Sequence, residues 1–61
     1  MHIRQQIERF LRAHPISATR LGRDAVGDPR LVADLRRGRE PRARMVVRLE
    51  HFMNIYEETT R

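Results

Sequence analysis

The stretch that decides the fold runs from Ser17 to Gly38 and reads SATRLGRDAVGDPRLVADLRRG. Near its middle lies Val26-Gly27-Asp28-Pro29, which has the composition of a junction between two helices. Glycine tolerates the positive φ that closes a helix, aspartate is a strong N-cap, and proline suits the first helical position because its missing N–H is not needed there. The sequence therefore predicts two short helices joined by a turn of about three residues.

The helix before the turn is predicted over residues 18–25. Ser17 suits its N-cap, because the hydroxyl can accept a hydrogen bond from a free amide in the next turn. Leu21 and Ala25 would face inward. Gly22 falls mid-helix, where glycine costs about 1 kcal/mol relative to alanine, and it therefore indicates a close contact between two backbones.

The helix after the turn is predicted over residues 29–37, with Gly38 ending it. A rotation of about 100° per residue gives this helix an apolar inner face and a basic outer face. The inner face consists of Leu31, Val32 and Leu35, and the outer face of Arg30, Ala33 and Arg37. Two short helices joined by a tight turn, the second exposing arginines, form a helix-turn-helix unit.

Two further helices flank this unit. Ile3, Ile7, Phe10 and Leu11 have the spacing of one helical face, which predicts a helix over residues 2–13 that His14-Pro15 ends. Pro41 begins a fourth helix over residues 41–56, and residues 59–61 are predicted to form a frayed tail. The inner face of this fourth helix would consist of Met45, Val46, Leu49, Phe52, Met53 and Tyr56. The predicted fold class is all-α: one small four-helix domain over residues 1–58 that contains a helix-turn-helix.

Length and composition exclude several classes of protein. A chain of 61 residues makes one small domain, and a core of that size can barely build the walls of an enzyme cleft. It has no cysteine, which excludes disulfides and thiolate zinc sites. The three histidines have no metal-ligand spacing, and we expect them on the surface. We therefore expect a soluble, cytoplasmic protein that is not an enzyme, holds no cofactor or metal, takes no small-molecule substrate and has no membrane segment.

The distribution of charge is more specific. All 13 basic residues are arginines, and the net charge is +5. The segment from Arg30 to Arg48 has seven arginines against Asp34 and Glu40, so it carries the whole net charge. The planar fork of arginine binds phosphates and guanine edges at two points, which lysine cannot do. This basic segment predicts a polyanionic partner.

Residues 17–41 resemble the lambda-repressor-like, Cro-type family of DNA-binding domains. The resemblance lies in the capped start at Ser17, in Leu21-Gly22 as a leucine followed by a small residue, and in Leu35-Arg36-Arg37-Gly38, with Pro41 soon afterwards. The family usually has alanine where this chain has Gly22. The resemblance implies sequence-specific binding of double-stranded DNA in the major groove, by a transcriptional repressor or regulator.

The resemblance also implies roles for individual residues. The residues that would read bases are Arg30, Ala33 and Arg37, with Asp28 and Asp34 as lesser candidates. Each of the two arginines can bond the O6 and N7 atoms of a guanine, and the alanine can touch a thymine methyl. The residues that would contact phosphates are Ser17 and Thr19 at the start of the second helix, and Arg36, Arg39, Arg42 and Arg44 beside the groove.

One such domain reads only about 4–5 base pairs, so we expect a homodimer on a two-fold site. The exposed end of the fourth helix, with Phe52, Ile55 and Tyr56, is the expected pairing surface. The alternative function is a small helical protein-interaction module, or a phage-type inhibitor, that docks its arginines on an acidic protein surface. Structured RNA is a third possible partner, although the chain has few aromatic residues for stacking on bases.

Overall fold

The computed structural model describes residues 2–59 of the chain. It contains four α-helices: α1 (Ile3–Ala13), α2 (Ala18–Val26), α3 (Leu31–Arg36) and α4 (Ala43–Thr59). Residues 2–59 form no β-strand, so the predicted all-α, four-helix fold is confirmed. Within the same residues, no helix has both the length and the apolar character needed to cross a membrane.

One hydrophobic core joins the four helices. Its most completely covered side chains are Ile7, Leu21, Leu31, Val32 and Leu49, each no more than 1% exposed. The inner faces predicted for α2 and α3 are confirmed, because every apolar residue assigned to them is buried. Helical spacing missed one core residue, Ile16, since it lies in the connection between α1 and α2 and belongs to no helical pattern.

Local capping explains where α1 and α2 begin and end. The imidazole Nδ1 of His2 accepts a hydrogen bond from the amide of Arg4, at 3.1 Å, and so caps α1. The Ser17 hydroxyl accepts from the amide of Arg20, also at 3.1 Å, which confirms the predicted N-cap of α2. Gly27 ends α2 with a φ of +72°, the left-handed conformation that glycine adopts without a steric penalty.

The bounds of α3 differ from those predicted because turns form at both of its ends. The helix begins at Leu31, two residues later than expected, since the Asp28 carbonyl accepts from the Leu31 amide and leaves Pro29 and Arg30 in the turn. It ends at Arg36, one residue earlier than expected. Gly38, with a φ of +106°, then reverses the chain.

The bounds of α4 differ as well. Its first helical hydrogen bond joins the Val46 amide to the Arg42 carbonyl, so α4 begins two residues after Pro41. At its other end, the Thr59 hydroxyl donates to the Ile55 carbonyl at 2.9 Å and α4 continues through Thr59. The predicted tail is therefore wrong at Thr59, and its other two residues, 60 and 61, lie outside the described part of the chain.

Candidate nucleic-acid interface

The turn between α2 and α3 lies directly against the backbone of α2. The Asp28 amide donates to the Gly22 carbonyl at 3.1 Å, and the Gly27 amide donates to the Arg23 carbonyl at 2.9 Å. A Cβ atom on Gly22 would overlap the carbonyl oxygen of Asp28 and lie 3.2 Å from the Cβ of Leu31. The predicted backbone contact at Gly22 is confirmed, and it explains why even alanine does not fit there.

Exposed arginines lie at the two ends of α3, because Arg30 is in the turn before the helix and Arg37 follows its last residue. The helix predicted over residues 29–37 is therefore too long, and of the predicted outer face only Ala33 lies within α3. Arg30, Ala33 and Arg37 are all exposed, whereas Leu31, Val32 and Leu35 are buried. Within residues 2–59, neither Arg30 nor Arg37 forms an ion pair. Both guanidinium groups therefore have their donors available to a ligand.

Asp28 and Asp34, the lesser base-reading candidates, are bonded to the protein itself. Asp28 is half-buried, and its Oδ1 atom accepts from the Arg30 amide at 3.0 Å within the turn. The predicted N-cap role of Asp28 is wrong, because α3 begins at Leu31 and its N-cap is Arg30, which makes no side-chain cap hydrogen bond. Its Oδ2 atom lies 3.1 Å from the Nη1 atom of Arg39, and the same Nη1 lies 3.4 Å from Oδ2 of Asp34. Arg39, expected to contact phosphate, thus links the turn before α3 to the helix itself.

Arg36, a second expected phosphate contact, forms a two-point ion pair with Glu8 of α1. The Nε atom lies 2.8 Å from Oε2, and the Nη2 atom lies 2.6 Å from Oε1. The hydrogen bond from Arg36 lowers the pKa of Glu8 and outweighs the slight effect of burial, which would raise it. The same bond raises the pKa of Arg36. Arg36 therefore links α3 to α1. Because Glu8 and Arg36 are 28 residues apart in the sequence, no local sequence pattern predicts this pair.

The remaining expected phosphate contacts are open to solvent. Arg42 and Arg44 are exposed and form no ion pair within residues 2–59. They border a shallow depression of about 160 Å³ at the start of α4. Arg48, which was not among the sequence-predicted site residues, lines the same depression. Its position four residues after Arg44 is the signal that would have identified it.

At the start of α2, Ser17 and Thr19 are both exposed. The Ser17 oxygen already accepts from the Arg20 amide. A hydroxyl also has one hydrogen to donate, so Ser17 can cap the helix and still donate to a phosphate oxygen. A phosphate contact at Ser17 and Thr19 stays a prediction.

The expected pairing surface on α4 is only partly exposed. Ile55 is 47% exposed, whereas Phe52 and Tyr56 are half-buried and pack against the core. The Tyr56 ring lies 5.2 Å from the rings of both Phe10 and His14. The expectation that His14 is a surface residue is therefore wrong, because its side chain, 18% exposed, packs between α1 and α4.

A mostly apolar groove of about 430 Å³ lies beside Ile55, between α2 and α4. Phe52 and Tyr56 line it, so the three residues expected to pair still border one continuous surface. Val47, at 63%, is the other large hydrophobic residue that is strongly exposed in the described part of the chain. Ile55 and the groove beside it therefore leave apolar area exposed at this end of α4, whereas Val47 lies eight residues earlier and does not line the groove.

The chain matches no protein-family model, no curated protein and no solved structure. The resemblance of residues 17–41 to the lambda-repressor-like family therefore rests on their sequence pattern. Any functional conclusion depends on the geometry of α2, α3 and the start of α4.

Proposed function

We propose that the protein binds double-stranded DNA through the major groove, as a lambda-repressor-like transcriptional repressor or regulator. The observation that carries this proposal is the pair Arg30 and Arg37, which are exposed at the two ends of α3 and form no ion pair among residues 2–59. Carboxylates pair with the two other arginines of residues 30–39, Arg36 and Arg39. Two exposed and unpaired guanidinium groups at the ends of a short helix are suited to guanine edges and phosphates.

In this proposal Arg30 and Arg37 read bases and Ala33 lies between them against a thymine methyl. Arg42, Arg44 and the hydroxyls of Ser17 and Thr19 hold the DNA backbone on the two sides of the groove. Arg36 and Arg39 have a different role from the one expected, because they hold α3 in position for this contact.

We further propose that the protein acts as a homodimer through the end of α4. α3 has only six residues and can reach few base pairs, so one copy would discriminate poorly among genomic sites. Ile55, together with the groove beside it, offers an apolar surface that a second copy would cover. Ile55→Glu would place a charge in that contact and should weaken DNA binding more than it destabilises the monomer.

Selection of bound sequences from random duplex DNA tests the proposal. We expect one preferred sequence with two-fold symmetry. Arg30→Ala and Arg37→Ala should each cost about 1–3 kcal/mol of affinity on that sequence and relax the preference at one position of each half-site. Arg9→Ala is the matched control, since it removes the same charge from an arginine that lines the cleft between α1 and α4.

Two results would contradict the proposal. In the first, the selection yields no preferred sequence and duplex DNA binds weakly even at low salt, as expected of a module that docks on an acidic protein surface. In the second, the Arg9, Arg30 and Arg37 variants all lose affinity equally for every sequence, which would mean that charge alone drives binding.

A further inference from the structure

The depression at the start of α4 has the size and lining of a site for a small anion. Its volume is about 160 Å³, well below the roughly 300–1,000 Å³ of pockets that hold drug-sized molecules. The residues that line it are Val26, Arg42, Arg44, Met45 and Arg48, with no acidic side chain among them. The side chains of three arginines therefore line one small, mostly apolar depression, whose volume is closer to that of a single phosphate group than to that of a nucleobase or a peptide side chain.

Among the described residues, none of the three arginines at this depression forms an ion pair. Arg44 and Arg48 are four residues apart, a spacing at which like charges repel along a helix. Arg42 provides the first carbonyl of α4, where the positive end of the helix dipole disfavours a cation, and the first turn of α4 has no acidic residue. Glu40, the nearest acidic residue in the sequence, forms no ion pair among the described residues.

Elsewhere in the molecule, two of the four arginines near α3 are paired with carboxylates. Arg36 is paired with Glu8, and Arg39 with Asp28 and Asp34. The start of α4 shows the opposite arrangement, because three arginines lie together with no carboxylate between them. A bound anion would relieve the repulsion among these arginines. The apolar side chains of Val26 and Met45 would exclude water from one side of the anion and so strengthen its attraction to the arginines.

We propose that Arg42, Arg44 and Arg48 form a subsite for one phosphate group, with Arg48 as a contact additional to those expected from the sequence. This inference rests on the proposed function, which supplies the natural ligand of the subsite. That ligand is a phosphate of the DNA backbone next to the groove that α3 would enter. Arginine suits this role because its planar group donates two parallel hydrogen bonds to phosphate oxygens.

The first arm of the test is a titration with inorganic phosphate at low ionic strength. Binding is monitored by the NMR signals of the arginine Nε–Hε groups. We expect the signals of Arg42, Arg44 and Arg48 to follow one saturable curve, distinct from those of other exposed arginines. Arg48→Gln should weaken this binding about tenfold, since a hydrogen bond to a charged group has this order of strength. Arg9→Gln, which removes the same charge elsewhere, should leave it unchanged.

The second arm uses random-sequence duplex DNA, with affinity measured against salt concentration. Arg48→Gln should make the slope of log affinity against log salt shallower by about 0.9 for each bound protomer, the value of one released phosphate contact. Arg9→Gln should leave the slope as it is in the unmodified protein.

The two arms separate failure of the subsite from failure of the proposed function. Specific phosphate binding that depends on Arg48, without any duplex binding, would support the subsite for a free phosphate compound and overturn DNA binding. Equal signal changes at all exposed arginines, or duplex binding with a slope that Arg48→Gln does not change, would overturn the subsite and leave base readout by α3 intact.

Discussion

Two sides of α3 use the same residue type in opposite ways. On the anchoring side, Arg36 and Arg39 bind carboxylates of α1, the turn and α3 itself. On the open side, Arg30 and Arg37 are exposed and form no ion pair among residues 2–59. The four arginines lie within ten residues of sequence, so charge density alone does not distinguish them. What distinguishes them is whether a carboxylate lies close enough to form an ion pair. Arginines with such a partner hold α3 in place, and those without one can bind a ligand.

This difference predicts that changes on the anchoring side reduce stability, whereas changes on the open side reduce binding. The largest effect is expected at Gly22. Alanine in an unobstructed helix would add about 1 kcal/mol of stability, but at this position its Cβ would overlap the Asp28 carbonyl. We expect Gly22→Ala to destabilise the protein by about 3 kcal/mol, a large share of the total for a domain of this size.

Urea unfolding checks this prediction, with Gly27→Ala as the control. Nothing lies within 4 Å of a Cβ at Gly27, and only its positive φ opposes alanine. The control should therefore lose only about 1–2 kcal/mol. If Gly22→Ala is as stable as the unmodified protein, the turn does not pack against α2 as described.

The next largest effect is expected at Asp28, whose carboxylate accepts from the Arg30 amide within the turn and binds Arg39. Asp28→Ala removes both interactions and should cost about 1–2 kcal/mol of unfolding free energy. Asp28→Asn keeps an acceptor for the Arg30 amide and weakens only the ion pair, so it should cost less than about 1 kcal/mol. Equal losses for the two variants in urea unfolding would show that the hydrogen bond to the Arg30 amide contributes nothing at this position.

The smallest effect is expected at the pair of Glu8 and Arg36, because Arg36 is exposed, Glu8 is only half-buried, and solvent screens their attraction. The pKa of Glu8 is lowered below its ordinary value of 4.5 by the Arg36 hydrogen bond. The pair therefore stabilises the fold above that ordinary pKa, and the contribution is lost as the pH falls through the lowered pKa.

Thermal unfolding at pH 7 and at pH 2–3 measures this effect. Glu8→Gln should lower the melting temperature slightly at pH 7, and the difference from the unmodified protein should shrink in acid. The control is Glu58→Gln, which removes an exposed carboxylate that forms no ion pair among the described residues. A Glu8→Gln difference that is constant over this pH range would mean that the ion pair does not stabilise the protein.

The sequence predicted the parts of the fold that depend on local signals. Gly27 and Asp28 determined the turn, and apolar spacing identified the buried face of α3. Helix ends were less accurate, because hydrogen bonds such as that from Thr59 to Ile55 depend on geometry that composition does not specify.

Within the candidate site, the sequence predicted that Arg30 and Arg37 are exposed, but it placed both inside a helix that in the structure covers only Leu31–Arg36. The pairing of Arg36 and Arg39 was not predicted, because their carboxylate partners lie as far as 28 and 11 residues away in the sequence. Arg48 was missed although it lies four residues after Arg44 on the same helix, because the expected phosphate contacts extended only to the first residues of α4.

The division between paired and unpaired arginines is tested most directly by the salt dependence of duplex binding for Arg42→Gln and Arg36→Gln. Each phosphate contact contributes about 0.9 to the slope of log affinity against log salt. Arg42→Gln should therefore make the slope of a bound dimer shallower by about 1.8, whereas Arg36→Gln should leave it unchanged, because Arg36 is bound to Glu8. Equal reductions for both variants, or no reduction for Arg42→Gln, would contradict this division.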